Sequence, residues 1–400
     1  MKQRSKNYTV PLIIIGILFF IIGFALGINS YLVPLLTTAL NITSGESYLV
    51  IGATFSAFLI FAYPAAKIIQ KIGYKKTMAL SFIIFAIGFL LFIPSAKYES
   101  IGLFLLASFI SGVGNTILQA AVNPYVTILG PIESAARRIS IMGICNKLAW
   151  PVAPIFLATI IGKEINQVAL TDIYLPFLII IGIFIILGIF TFFSPLEEIK
   201  AVGEDETDLS NCPYAANKTS IWQFPHLVLG GIALFLYVGV ETIALATTVD
   251  YATTLGLPNP ESYAFYPSLG LVLGYICGIL FIPKYITQAT ALKICSWLAV
   301  IASLLVVLTP PTISIWFIFV MGFSCSLMWP AIWPLAMTDL GRFTKVGSSL
   351  LVGAIFGGAV IPVLFGLLKD AIGSQQAYWI CLPCFLFILY YAIKGHKIRT

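Results

Sequence analysis

Twelve apolar runs, each long enough to cross a lipid bilayer, recur through this chain of 400 residues. A hydrocarbon core about 30 Å thick needs roughly 17–25 mainly apolar residues per helical crossing. Runs of that length fall near 11–36, 48–69, 77–94, 101–129, 139–161, 173–193, 225–249, 263–282, 287–308, 313–338, 346–368 and 375–394. Only 10% of the residues are charged, against roughly 25% in a soluble domain, so no large water-facing surface is available. The expected fold class is an all-α membrane protein of twelve transmembrane helices without a separate soluble domain. The first run is too long for a cleavable signal, and no small-x-small site follows it.

Basic residues test that parse, because cytoplasmic loops carry the excess of Lys and Arg. If Lys2, Arg4 and Lys6 lie inside, the same side holds Lys67, Lys71, Lys75, Lys76, Arg137, Arg138, Lys200, Lys218, Lys284, Lys293, Arg342, Lys345, Lys394, Lys397 and Arg399. The other side has Lys97, Lys163 and Lys369, and Lys147 sits inside span five. One missed or added span would scramble this skew. Both termini are therefore expected in the cytoplasm, in a multi-pass protein of the inner membrane. The basic residues hug the membrane edges, which gives nucleic-acid binding no support.

The longest polar stretch, acidic and poor in large apolar residues, divides six spans from six. It reads as a flexible linker. The expected organisation is a first six-helix bundle over 1–193, a cytoplasmic linker over 194–224 and a second bundle over 225–400. The two halves share features: a basic turn follows span two at "KIIQKIGYKK", and span ten reads "MWPAIWPLAMTDLGRFTK". Transporters built from repeats place their site near the midplane between the repeats.

Polar groups stranded in the apolar runs mark where such a site would form. Ser111, Asn115, Gln119 and Asn123 recur every fourth residue in span four, so they form one stripe of a helix. Amides do not belong in lipid; they face a partner helix, the bundle interior or water. A single such residue is readily explained as interhelical glue. The whole stripe favours a polar lining, and neutral amides both donate and accept, which suits a hydroxylated ligand. Asn29 in span one, Asn146 in span five, Tyr237 in span seven and Trp329 and Trp333 in span ten extend the candidate binding set. Indole rings beside amides match the apolar faces and hydroxyl rims of a sugar. Plain packing is the competing reading for the two tryptophans and for Tyr237.

Glu241 in span seven and Lys147 in span five are ionisable at bilayer depth, where a charge costs at least about 2.5–3.5 kcal/mol. Three roles are open: Glu241 carries a coupling proton; the two form an ion pair across the halves that is made or broken in the cycle; or Lys147 pairs locally while Glu241 sits near water. Gly23-x-x-x-Gly27, Gly270-x-x-x-Gly274-x-x-x-Gly278 and Gly353-x-x-x-Gly357 read as close helix packing. With two histidines, and cysteines almost all within apolar runs, neither a metal site nor a cofactor is expected. No nucleotide loop, GxSxG or His cluster points to an enzyme.

The segment "LQAAVNPYVTILGPIESAARRIS", with its Asn123–Pro131 core, resembles the fucose/galactose/glucose sugar permease family of the major facilitator superfamily. "PAAKIIQKIGYKK", "FLYVGVE" and "GSSLLVGAIFGGAVIP" resemble the same family, most like its glucose/galactose branch. The resemblance runs through both halves. It implies two pseudo-symmetric six-helix bundles, alternating access and import of a hexose by a monomer, coupled to a proton or sodium. Lys71, Gly73 and Lys75 fit the superfamily's basic turn, and Arg137, Arg138 and Arg342 fall at comparable cytoplasmic turns. The chain departs from the pattern at Ser30 and Gln119, where relatives carry carboxylates, and at Gln70, where the superfamily has an acid. Those departures leave Glu241 and Lys147 as the ion-coupling candidates. An uncoupled facilitator and a drug exporter of the same fold are the alternatives.

Overall fold

The computed structural model describes residues 8–129, 135–198, 214, 218–282, 284–340 and 343–399. Arg342 and most of the linker lie outside these residues, as does the side chain of Arg137. Among the described residues, twelve helices are long and apolar enough to cross a membrane. They begin with Thr9–Ala39, Ser44–Ile72, Tyr74–Lys97, Ile101–Ile128, Ala135–Ile161 and Tyr174–Phe193. We number the spans one to twelve in chain order. The chain belongs to the all-α membrane class.

Spans one to six pack chiefly as pairs three–four, one–five, two–four and three–six; eight–ten, nine–ten, seven–eleven and nine–twelve do the same in the second half. Across the halves, span two packs on span eleven and span five on span eight. Span three shows how sequence spacing builds a bundle. Phe82, Phe85, Phe89 and Phe92 recur at three- and four-residue steps, so one face meets Phe177 and Phe184 of span six. The Phe89 and Phe92 ring centroids lie 5.0 Å from those of Phe184 and Phe177 respectively.

The halves differ in how their helices treat breaking residues. In the first, Pro34, Pro64, Pro94, Pro151 and Pro154 all sit inside unbroken helices. In the second, three spans are broken in two. Span seven runs Pro225–Ala246 then Thr248–Thr254, span ten Pro311–Cys325 then Met328–Met337, and span eleven Thr344–Ala354 then Gly357–Ile372. The break in span ten falls where Pro330 would clash with the carbonyl of Ser326, four residues earlier. Span eleven breaks beside Gly357-Gly358, a pair with poor helix propensity.

Glycine spacing mostly marks close packing. A Cβ on Gly23 or Gly27 would collide with the backbone carbonyls of Asn146 or Trp150, so spans one and five meet backbone to backbone. Gly270, Gly274 and Gly357 are equally hemmed in, but Gly353 has open space around it and needs no glycine for packing.

At the end bearing the basic loops, Gly73 has φ +84°, a conformation that suits glycine, and starts span three. Glu198, just after span six, accepts from the amides of Tyr74 at 2.9 Å and Lys75 at 3.1 Å. The Lys75 ammonium donates to the Ser194 carbonyl at 2.7 Å, while Lys71 is exposed. The basic turn thus anchors the start of the linker to its own half. Arg138 Nε donates to the Val126 carbonyl at 3.1 Å and ties span five to span four.

Candidate functional site

Midway along the bundle, span five presents Lys147 to Glu241 of span seven. Lys147 lies twelve residues into its helix, about 18 Å from the basic end at 1.5 Å per residue. Its ammonium is 3.0 Å from Glu241 Oε2, and both side chains are about nine-tenths buried. The other carboxylate oxygen, Oε1, accepts from the Tyr237 hydroxyl at 2.5 Å. Tyr237 and Glu241 are one helical turn apart, so this bond follows from span seven being a helix. Of the three roles open to these groups, the structure contains the pair across the halves. Both oxygens of Glu241 are engaged, and Tyr237 positions the acid.

A second, neutral contact runs alongside the first. Trp150 Nε1 donates to Ser30 Oγ at 3.0 Å, and Ser30 Oγ donates to the Leu245 carbonyl at 3.3 Å. Trp150 follows Lys147 by three residues and Leu245 follows Glu241 by four, so Ser30 of span one links spans five and seven one turn beyond the ion pair. The Lys147 ammonium also lies 5.9 Å from the Trp150 ring centroid, within cation–π range. Pro34 and Pro151 each stand four residues after Ser30 and Lys147. Each proline removes the helical hydrogen bond those residues' carbonyls would accept. The chain is locally loosened at the two residues that reach across.

Aromatic rings flank the acid. The Tyr237 and Trp329 centroids are 6.4 Å apart. Trp329 and Trp333 stack at 5.3 Å with planes 27° apart, and both are half-buried. That stack offers a flat apolar face next to a charged pair.

The amide set divides. Asn115 is buried and donates from Nδ2 to the Ile22 carbonyl at 3.3 Å, and Gln119 Nε2 donates to Asn115 Oδ1 at 2.7 Å. Asn123, one turn further toward the basic end, is exposed. Asn29 is buried, and its Oδ1 accepts from Thr54 in span two at 3.5 Å. Half-buried Asn146 donates to the Phe19 carbonyl at 3.2 Å. Asn115, Asn146 and Asn29 therefore tie span one to its neighbours in the first half.

A groove of about 750 Å³ between spans one and five, lined by Ile13, Ile17, Phe20 and Ile141, is almost wholly apolar and contains none of the candidate amides or Glu241. Cys381 and Cys384 form a Cys-x-x-Cys in span twelve. Both are buried free thiols in an apolar helix. Among the described residues no cluster of three or more His, Cys, Asp or Glu side chains could hold a metal.

Two groups escaped the sequence reading. Ser30, the small hydroxyl beside Asn29 in span one, carries the neutral bridge. Asp250 was passed over, although it is a second buried acid on span seven, paired with Lys369. An acid and a base at matching ends of two apolar runs was the available signal.

Two six-span bundles bridged by a buried ion pair define a twelve-span membrane protein whose halves meet at midplane. The sequence profile of the Major Facilitator Superfamily matches residues 15–351, and the chain belongs to that superfamily. It is 35% identical to a glucose/galactose transporter of Brucella abortus, over 99% of this chain and 96% of that protein. It is 23% identical to the L-fucose-proton symporter of Escherichia coli, over 97% of this chain and 94% of that one. The fold is similar to a crystal structure of the E. coli fucose:proton symporter, with a TM-score of 0.71 and 22% identity over 97% of this chain and 98% of that one.

Proposed function

We propose that this protein imports a hexose across the cytoplasmic membrane by alternating access, as a monomer, with the basic end and both termini inside. The observation that carries the reading is the Lys147–Glu241 pair bridging the halves beside the Trp329–Trp333 stack. The relatives named above as sugar transporters support the substrate class. Trp329 and Trp333 supply the apolar platform for a pyranose face, while Gln119 and Asn123 offer hydroxyl partners from span four.

Coupling follows from the same pair. A proton added to Glu241 cancels its charge, weakens the bridge to Lys147 and frees the halves to rock. Removing the proton on the other side restores the bridge. Tyr237 holds the carboxyl in place throughout. A sugar facilitator without coupling is the second reading, favoured by the neutral Ser30 and Gln119 at positions where the family resemblance implies carboxylates.

Counterflow in proteoliposomes with glucose, galactose and fucose, across pH and with sodium removed, tests the substrate and the ion. Exchange of at least one hexose is expected; a panel in which none exchanges overturns the substrate reading. The variant Glu241→Gln should keep exchange and lose uphill accumulation. Intact pH-driven accumulation in that variant rejects proton coupling through Glu241, and accumulation that follows sodium alone moves the coupling to that ion.

A further inference from the structure

Away from the midplane pair, the halves meet again at the end opposite the basic loops. Asp250, in the short helix that completes span seven, is buried, and the Lys369 ammonium of span eleven lies 2.8 Å from each of its oxygens. Tyr48 of span two, in the other half, donates its hydroxyl to Asp250 Oδ2 at 2.8 Å. The next residue after Lys369 reaches across as well. Asp370 accepts from the amides of Ser44 at 2.9 Å and Gly45 at 2.7 Å, the first two residues of span two. A carboxylate there meets unsatisfied amides and the positive end of the helix dipole. Tyr48 is seated against Gly366, where a Cβ would press into its side chain, and its ring lies 5.6 Å from that of Phe365.

We propose that Tyr48, Asp250, Lys369 and Asp370 form an outer latch that holds the resting protein closed to the outside and parts to admit substrate. The inference rests on the sidedness and alternating access of the previous section. What makes the cluster a latch is how little is stranded when it opens. Asp250 keeps Lys369, because both belong to the second half. Span two keeps its own N-terminal cap, because Thr43 and Glu46 already form a capping box there. Parting the outer ends therefore breaks three hydrogen bonds of this cluster and leaves neither Asp250 nor Lys369 without its partner.

The test is a pair of spin-label distances on the full chain in lipid, measured without sugar. One pair of labels replaces exposed Tyr98 and Thr254 at the outer end; the other replaces exposed Lys71 and Lys284 at the basic end. Tyr48→Phe removes a hydrogen bond to a carboxylate and should raise the ratio of outer-open to outer-closed molecules about tenfold. Asp370→Asn, at an exposed side chain that tolerates the change, should raise it about threefold. In both, the outer distance lengthens while the inner one shortens. Lys163→Ala breaks an outer-end ion pair to Asp172 that lies wholly within the first half, and should move neither distance. Unchanged distances in Asp370→Asn overturn the latch whatever Tyr48→Phe does, and so does an equal shift in Lys163→Ala. Because no sugar is present, the latch can fail while hexose exchange stands, and the reverse.

Discussion

Span four and span seven both place polar groups at membrane depth, and they handle them in opposite ways. Span four carries neutral amides, and the buried ones bond within their own half: Asn115 to the Ile22 carbonyl, Gln119 to Asn115. Span seven carries the acids, and both reach the other half, Glu241 to Lys147 and Asp250 to Tyr48. The amides bind a bundle together, at a modest gain per contact of about 0.6–2 kcal/mol. The acids bind one bundle to the other, and a charge deprived of its partner there is expensive. Polar residues of the first kind are at home in a rigid unit; those of the second kind belong where a unit moves.

That contrast breaks most severely at the pair. Lys147→Met leaves Glu241 buried with a hydrogen bond from Tyr237 but no counter-charge, and should cost about 3–5 kcal/mol of stability. The double variant Lys147→Met with Glu241→Gln should recover most of it. Thermal unfolding of the two singles and the double, read as a cycle, gives the coupling; a double as unstable as the worse single would mean that the two charges do not support each other. Trp329→Ala removes half of the stack but no bond between the halves. It should raise the KM for sugar counterflow about tenfold, and an unchanged KM would assign the stack to packing.

The smallest effects lie within span four and sharpen its division. Gln119→Ala loses the hydrogen bond to Asn115 one turn away in span four and should lower stability by about 1 kcal/mol. Asn123→Ala, at an exposed side chain, should cost less than that, and a transport defect that outruns its loss of stability would be a substrate effect. Equal destabilisation by the two would erase the distinction between a buried amide network and an exposed amide.

The sequence placed the helices well because its signal is local. Apolar length sets span number, and the observed helices run past the expected runs mainly where polar ends leave the lipid, as in Thr9–Ala39 against 11–36. The breaks in spans seven, ten and eleven were less legible. Proline also sits in the unbroken helices of the first half, and a broken helix depends on its neighbours to satisfy the freed backbone groups. The site was legible as a set of residue types. Glu241 and Lys147 stood out because charge is rare in lipid, but three arrangements remained open to them.

What the chain alone determined is its number of crossings, the skew of its basic residues and the presence of an acid, a lysine and an amide stripe at depth. These follow from solvation, which each residue meets individually. Tertiary structure decided which of these groups bond each other, because a helix fixes the facing of residues four apart but not which helix lies opposite. Only packing put Ser30 against Leu245, Tyr48 against Asp250 and Asp370 over the start of span two.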